Sequence, residues 1–482
     1  MNTDRRRFLQ LLLVSGSAAA LSACGGSSSG ESVSRPQTPT QRNPQKKPTQ
    51  ELMPQPTEEL AMELPLNAGP LMNIGPLEDS GVDSILIPSD FEIRRVAISG
   101  LTASTSIPLP SIGVINYPWH TFPDGGAVFD LDDGGWIYVS NSETTLTGGC
   151  GALRFDQDGQ IIDSYPILRN TRRNCAGGPT PWQTWLSCEE VSDGRVYECD
   201  PLGTPSTARE LPALGIFNHE AVAVDLKTQT IYLTEDAGDG RLYRFRSSGM
   251  ATSINGRPGL DMQNGTLEVL EIEGFEAGAY QEDFTDARTV KRVHWVPAQS
   301  PDRPQSEVRS EIQNATGIGA PGTAFKGGEG IWIQELSEDQ QPTVSGATNP
   351  LRAVVYFACK GDNRVYALDV DNDLIEVVFD NEQLMAPDIP FDDVDNITIS
   401  PMGDVIVAED GDAMRLMVMN PSGPSKILLQ VPGGGSELTG PAFTGNGKFL
   451  YFSSQRGGAA GPGLSGLGIT YELRIPDSFL VG

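Results

Sequence analysis

Short apolar segments of this 482-residue chain repeatedly end in acidic residues. The polar residues found at the starts and ends of these segments are Glu143, Glu189, Glu190, Glu220, Glu235, Asp236, Glu329, Asp395, Asn396, Glu409 and Asp410. Any one of them could cap a turn or form an ion pair at the surface, but their recurrence at the same place in at least five segments favours a common site. Carboxylates crowded together retain protons unless cations bridge them. Because hard divalent cations prefer oxygen ligands, the pattern predicts bound Ca²⁺.

A sixfold repeat is expected to bring these acids together. Each unit has an apolar strand, a polar turn and a second apolar strand, and the units begin near Gly125, Gly178, Asn218, Gly328, Asp395 and Gly440. Six such units arranged radially predict an all-β fold, a six-bladed β-propeller. The first strand of each blade lies beside the central channel, so the acids should converge there. The long excursion at residues 249–326 is predicted to be an insert that caps one face and holds the helical residues, for example near 280–292.

Histidine is scarce, with only His120, His219 and His294 in the chain, so a zinc site built on imidazoles is hard to assemble. His219 lies directly before Glu220. It could orient a metal ligand through a hydrogen bond or serve as a buried structural histidine. Both roles remain open at this stage.

Five cysteines follow Cys24, and an odd number in an oxidising compartment predicts at least one free thiol. Cys188 could form a disulfide with Cys175 or Cys199. Its position directly beside Glu189 instead favours a metal-bound thiolate.

The first residues predict export. Arg5, Arg6 and Arg7 precede a short apolar run, as in a twin-arginine signal at residues 1–23, and Cys24 follows a lipobox-like sequence and is the predicted lipidation site. Residues 24–63 have the composition of a disordered linker, and residues 64–482 form the folded domain. The net charge of −29 argues against nucleic-acid binding. We expect a monomeric periplasmic or cell-surface lipoprotein that meets the membrane only through its anchor.

Residues 175–190, which read Cys-Ala-Gly-Gly-Pro-Thr-Pro-Trp-Gln-Thr-Trp-Leu-Ser-Cys-Glu-Glu, resemble the signature of the alkaline phosphatase PhoX family. A glycine is usual in that family at the position of Gln183. The agreement continues at residues 218–220, 232–236, 242–245, 395–396 and 409–410. Residues 327–330, Gly-Gly-Glu-Gly, depart from the Arg-Pro-Glu of characterised members.

The resemblance implies a six-bladed propeller with Ca²⁺ and Fe³⁺ in a central site that hydrolyses phosphomonoesters. It places the iron-bound thiolate at Cys188 and the remaining ligands at Glu189, Glu220, Glu235, Glu329, Asp395 and Glu409. Such a site requires no serine nucleophile, because metal ions can activate water for attack on phosphorus. The candidate arginines for stabilising the transferring phosphoryl group are Arg288, Arg292 and Arg415.

Two alternatives stay open. A calcium propeller could hydrolyse lactones, as gluconolactonase-like proteins do with a single ion and no thiolate. The propeller could also be a non-catalytic lipoprotein that binds a ligand or partner and uses metals only to hold its blades together.

Overall fold

The computed structural model describes residues 63–101, 117–280, 289–381, 390–457 and 466–480. The predicted signal, lipidation site Cys24 and nearly all of the predicted linker lie outside these ranges. Within them the fold is built almost entirely of strands. Among the described helices, none has the length and apolar character needed to cross a bilayer.

The strands are short, and most are apolar on both faces because they pack between neighbouring sheets. In chain order they are β1 (Leu77–Asp79), β2 (Leu86–Pro88), β3 (Glu92–Ile98), β4 (Pro123–Asp130), β5 (Trp136–Ser142), β6 (Gly148–Phe155), β7 (Ile161–Thr171), β8 (Asn174–Pro179), β9 (Trp185–Glu189), β10 (Val196–Cys199), β11 (Arg209–Glu210), β12 (His219–Asp225), β13 (Thr230–Glu235), β14 (Leu242–Ser247), β15 (Met250–Thr252), β16 (Pro258–Leu260), β17 (Gly265–Ile272), β18 (Lys291–Pro297), β19 (Gly328–Glu335), β20 (Ala353–Cys359), β21 (Arg364–Asp369), β22 (Leu374–Asp380), β23 (Val394–Ile399), β24 (Val405–Glu409), β25 (Arg415–Met419), β26 (Lys426–Gln430), β27 (Leu438–Phe443), β28 (Phe449–Ser454) and β29 (Ile469–Arg474). One α-helix, α1, spans Gln305–Thr316. Single 3-10 turns lie at Pro70–Asn73, Pro212–Leu214, Glu338–Gln340, Lys360–Asp362 and Asp477–Phe479.

Consecutive strands pair antiparallel into sheets. Two sheets have the orders β4-β5-β6-β7 and β8-β9-β10-β11. A third, of nine strands, runs β12-β13-β14-β17-β18-β22-β21-β20-β19, and a fourth runs β23-β24-β25-β26-β2-β1. The last sheet is β27-β28-β29-β3, while β15 and β16 form a separate hairpin.

The first strands of these sheets surround a common axis. β4 contacts β8, and the contacts continue through β12, β19, β23 and β27 back to β4. Small residues permit this close approach: a Cβ on Gly330 would lie 2.5 Å from the backbone nitrogen of Ile397 on the next strand. The result is a propeller-like arrangement, which confirms the predicted all-β class.

The apolar core occupies the spaces between neighbouring sheets. Tyr138 of the first sheet stacks on Tyr451 of the last, with ring centroids 5.1 Å apart. Phe217 stacks on Tyr243 at 4.2 Å between the second and third sheets. Burial of such large aromatic side chains supplies much of the favourable free energy of folding.

A strand from the beginning of the domain completes the last sheet. β3 pairs antiparallel with β29, from Ile98 opposite Ile469 to Glu92 opposite Arg474. Arg94 and Glu472, which are 378 residues apart, form an ion pair across it at 2.7 Å. This closure of the ring was not predicted.

Residues 249–326, predicted as an insert, contribute strands as well as connecting segments. β17 pairs with β14, and β18 joins β17 to β22 within the nine-stranded sheet. The helix α1 lies within this insert, where helical residues were predicted. Of the example segment 280–292, residues 281–288 lie outside the described ranges, and its last two residues begin the strand Lys291–Pro297. That the insert caps one face stays a prediction.

Candidate metal centre

A β-bulge lies near the start of β4, β8, β12, β19 and β23, which are strands that surround the central axis. The pairing shifts between Pro123 and Gly126, and equivalent shifts follow Asn174, His219, Gly328 and Val394. A bulge kinks a strand and re-aims side chains. The first residue of each bulge is one that can bind a metal ion. These residues are Asp124, Cys175, Glu220, Glu329 and Asp395.

A second set of polar side chains comes from the residues that directly follow the strands paired with the inner strands. These second strands are β5, β9, β13, β20, β24 and β28. First and second strands are antiparallel, so the end of one lies beside the start of the other. The residues in question are Glu143, Glu190, Asp236, Lys360, Asp410 and Gln455. The two sets therefore meet at one end of the ring.

Nine side chains form a continuous group at this end, which we call the hub cluster. Its members are Asp124, Glu143, Cys175, Glu190, Glu220, Glu329, Asp395, Asp410 and Glu437. They fall into four triads, and within each triad the ligand atoms lie within 4.8 Å of one another. The triads are Cys175–Glu190–Glu220, Asp124–Glu143–Glu437, Glu220–Glu329–Asp395 and Asp395–Asp410–Glu437. Shared members link the triads, so several cations could be bound side by side.

The hub carboxylates are buried without enough partners. Glu220 is 1% exposed and Glu329 3% exposed, and an Oε1 atom of each has no hydrogen-bond partner among the described residues. Burial, followed by the charge of neighbouring carboxylates, raises the pKa of both residues well above the usual range. Buried unpaired carboxylate oxygens are costly in a protein interior, which is the condition that a bound cation relieves.

Three basic side chains border the cluster. Lys360 Nζ lies 2.6 Å from Asp410 Oδ2 and 3.3 Å from Asp395 Oδ2. Arg173 Nη2 lies 2.6 Å from Glu190 Oε2 and 2.9 Å from Glu143 Oε1. Arg456 Nη1 lies 2.7 Å from Glu437 Oε1. With side chains 30%, 41% and 44% exposed, all three bases also reach solvent.

These bases do not neutralise the cluster. Although Arg173 contacts Glu190, burial raises the pKa of Glu190 to about 8, and the charges of Asp236 and Glu143 add to that increase. The pKa of the Cys175 thiol is also raised well above its ordinary value, by burial and then by the charges of nearby acids. A metal that binds Cys175 would therefore have to displace its proton.

The donor set fits metal binding. Eight carboxylates offer the oxygen ligands that Ca²⁺ takes, six to eight per ion. The Cys175 thiol adds one soft donor beside Glu190 and Glu220, as suits a transition metal such as iron. The predicted residues Glu143, Glu190, Glu220, Glu329, Asp395 and Asp410 are all members of this cluster.

Three predicted ligands, Glu189, Glu235 and Glu409, point away from the hub. Each is the last residue of a second strand, and alternation along the strand places its side chain opposite that of the following acid. Glu189 accepts hydrogen bonds from nearby backbone N–H groups. Glu235 pairs with Arg309 at 2.9 Å, and Glu409 pairs with Arg415. The structure therefore does not bring them into the hub cluster, because their oxygens already accept hydrogen bonds from the following turn or an arginine.

Cys188, the predicted thiolate, is also misplaced. It lies within β9, opposite Val196, and is fully buried in the apolar core with Phe217. Cys175, which starts the preceding bulge, supplies the thiol of the hub cluster instead. Cys175, Cys188 and Cys199 are all free thiols, so Cys188 is not in a disulfide with either of the other two.

The remaining predicted residues near the ring have supporting roles. Asn396 donates from Nδ2 to Asp395 Oδ1 at 2.7 Å, which orients that carboxylate. Asp236 borders Glu190, and burial raises its pKa. Burial lowers the pKa of His219 to about 3, so its neutral ring donates from Nε2 to the Gly215 carbonyl at 3.2 Å. His219 is thus a structural histidine.

Two of the three candidate arginines do not reach the hub cluster. Arg415 is committed to Glu409, and its Nη2 also donates to the Pro390 carbonyl at 2.6 Å. Arg292 lies on β18, opposite Leu374 on a different part of the nine-stranded sheet. The third, Arg288, lies outside the described residues. Among the described arginines, Arg173 and Arg456 contact hub carboxylates.

Sequence reasoning missed Asp124, Cys175 and Glu437 as ligands, and Lys360, Arg173 and Arg456 as their neighbours. Asp124 directly precedes Gly125 and Cys175 lies three residues before Gly178, so the start of the repeat was the available signal. Glu437 follows a run of glycine and serine and carries no such signal.

Comparison with known proteins agrees with this geometry. The family model "Alkaline phosphatase PhoX" matches residues 136–196 and 192–344. No curated protein sequence matches the chain. Among solved structures, Pseudomonas fluorescens PhoX in complex with vanadate, a transition state analogue, superposes with a TM-score of 0.62 and 15% identity, covering 85% of this chain and 99% of that one.

Two further structures are more distant. A structural genomics protein of unknown function from Bacteroides thetaiotaomicron has a TM-score of 0.41 and 8% identity, covering 81% of this chain and 79% of its own. A gluconolactonase from Xanthomonas campestris has a TM-score of 0.38 and 12% identity, with 86% and 98% covered. The family match over residues 136–344 and a fold shared with PhoX along most of the chain together make this chain similar to the alkaline phosphatase PhoX family.

Proposed function

We propose that this protein is a metal-dependent phosphomonoesterase and that the hub cluster is its active centre. The observation that carries the proposal is the set of buried carboxylates at the bulged strand starts, among which Glu220 and Glu329 each have an oxygen without a hydrogen-bond partner. They occur in a family whose member from Pseudomonas fluorescens binds vanadate, a transition state analogue. Stability alone would be served better by apolar residues at such positions, since buried charges are costly.

The hub residues divide by chemistry. Cys175, with Glu190 and Glu220, is the proposed position of Fe³⁺, since it is the one triad that contains a thiol. The carboxylate-only triad Asp124–Glu143–Glu437 is the proposed position of Ca²⁺. When bound, such ions neutralise phosphate oxygens and lower the pKa of bound water, and thereby provide a nucleophile without a serine.

Arg173 and Lys360 are the proposed phosphate-binding side chains. Each side chain uses some of its N–H groups to contact hub carboxylates, and it is exposed enough for the other N–H groups to face solvent. A guanidinium and an ammonium on either side of Glu190 and Asp236 would attract a dianionic monoester and orient it by hydrogen bonds. They replace the three arginines expected from the sequence.

The architecture and export belong to the same proposal. Division of the nine-stranded sheet between β17 and β22 gives six four-stranded blades, with β18 added at that division and β2 and β1 added to the fourth sheet. Cys24 would carry the lipid after twin-arginine export, and the protein would act as a monomeric periplasmic or cell-surface enzyme. Substitution of Cys24 by serine would then release it from the membrane fraction.

Phosphate release from a panel of monoesters tests the proposal, with full-length protein loaded with Ca²⁺ and Fe³⁺. We expect turnover that a chelator abolishes and that Glu220→Gln reduces by at least about tenfold, since it removes one charge from two triads. Glu338→Gln, at an exposed residue of a distant turn, is the matched control and should retain activity. Absence of turnover on the whole panel by the metal-loaded protein would refute the phosphatase assignment.

A further inference from the structure

Lys360 stands where the other sheets place acidic or amide side chains. Four second strands are followed by a carboxylate, at Glu143, Glu190, Asp236 and Asp410. β20 is followed by a lysine, whose ammonium turns into the same hub. One permanent positive charge is therefore built into the ring of ligands.

The ammonium is surrounded by hub carboxylates. Nζ lies 2.6 Å from Asp410 and 3.3 Å from Asp395, both within hydrogen-bond reach, and 3.8 Å from Glu329. A lysine amine is ordinarily protonated, and three carboxylates at these distances favour the charged form further. Two of its three N–H donors are used by carboxylates that a metal ion would otherwise bind.

We propose that the Lys360 ammonium occupies one cation position of the hub, between Glu329, Asp395 and Asp410, and so limits how many divalent ions the centre binds. Asp395 belongs to two of the four triads. The ammonium offsets the negative charge of Asp395 and occupies a lone pair that could otherwise bind a metal ion. The triads that contain neither Asp395 nor Asp410 remain free for metal. This inference rests on the metal centre of the proposed function, but it makes no use of turnover.

Removal of the ammonium should open the position to a divalent cation. In Lys360→Gln, Asp395 and Asp410 lose their shared counter-ion, and their oxygens become available beside Glu437. A unit positive charge about 4 Å away strongly opposes the binding of a divalent cation, because the two charges repel each other at that distance. The vacated position should therefore bind Ca²⁺ with appreciable affinity.

The test counts Ca²⁺ ions on chelator-treated full-length protein by calorimetric titration and by elemental analysis after dialysis. Lys360→Gln should bind one more Ca²⁺ per chain than the unsubstituted protein. Lys360→Arg, which keeps the charge, should leave the number unchanged. Lys448→Gln removes the same charge from an exposed pair with Asp477 and should have no effect. If Lys360→Gln folds only with calcium present, elemental analysis of that preparation supplies the count.

An unchanged Ca²⁺ number and affinity in Lys360→Gln would overturn the inference, as would the same increase in Lys448→Gln. Failure of the proposed function is distinguishable from either result. If the extra ion appears while no variant releases phosphate, the ammonium still occupies a cation position and only the phosphatase assignment falls.

Discussion

Glu190→Gln should make the metal-free protein more stable and the metal-loaded protein less so. Glu190 is 8% exposed and belongs to the triad that contains Cys175. Its contact with Arg173 argues for stabilisation by the carboxylate. However, the arginine is 41% exposed, and ion pairs with such exposure contribute little. The raised pKa of Glu190 shows that burial and repulsion outweigh the pair.

The size of the effect follows from that pKa. The value for Glu190 rises from 4.5 to about 8 in the fold. Its contribution to stability is therefore fully present below the unfolded-state value and is lost as the pH rises through about 8. Between about pH 5 and about pH 8 the loss amounts to about 3 kcal/mol. A glutamine does not titrate, so the variant escapes this part of the loss.

Urea denaturation of both proteins in chelator, at these two pH values, measures the effect. The fall in the free energy of unfolding from the lower to the higher pH should be smaller in Glu190→Gln by about 3 kcal/mol. With saturating Ca²⁺ and Fe³⁺, the order of stability should reverse, because the variant has lost a ligand. The reasoning is refuted if the chelated variant is the less stable protein at about pH 8.

Three further substitutions test an ion pair, a thiol ligand and a close contact between strands at or near the site. Arg309→Met should lower the free energy of unfolding by about 3 kcal/mol or more, because it leaves the buried carboxylate of Glu235 without its ion-pair partner. The control Arg303→Met, which removes an exposed ion pair with Glu311, should lower it by less than about 1 kcal/mol. Cys175→Ala should abolish iron binding measured by elemental analysis, whereas Cys188→Ala should retain it. Gly330→Ala should destabilise the fold by about 1–3 kcal/mol in urea denaturation, since its Cβ would meet the next strand.

Each of these has an outcome that contradicts it. Equal effects of Arg309→Met and Arg303→Met would mean that the pair with Glu235 does not anchor α1 to the third sheet. Iron lost from Cys188→Ala but kept by Cys175→Ala would restore the sequence-based choice of thiolate. A neutral Gly330→Ala would mean that the inner strands can separate to accommodate a methyl group.

The repeat and the general place of the site could be predicted from sequence because each unit carries its own local signal. Apolar runs such as Val405–Glu409 are long enough to identify strands, and the acids that follow them recur at one place in the unit. Position in a repeat is thus visible in a single sequence, and six of the nine hub residues were predicted.

The direction of each side chain could not be predicted in the same way. Glu189 and Glu190 are adjacent acids, and only the register of β9 decides which one faces the hub. Cys175 and Asp124 reach it through bulges, which change the alternation of a strand without a clear mark in its sequence. Pairing of β3 with β29 joins distant segments, so no local pattern could reveal it.

That pairing determines when the ring can close. During synthesis β3 emerges early, but its neighbour β29 arrives 378 residues later, measured from Arg94 to Glu472. Until then the early strand has an unpaired edge, and the first and last sheets cannot come together. Such long-range contacts slow folding and prolong the exposure of apolar surface. Completion of the circle therefore waits for translation to reach β29, whatever order the intervening sheets follow.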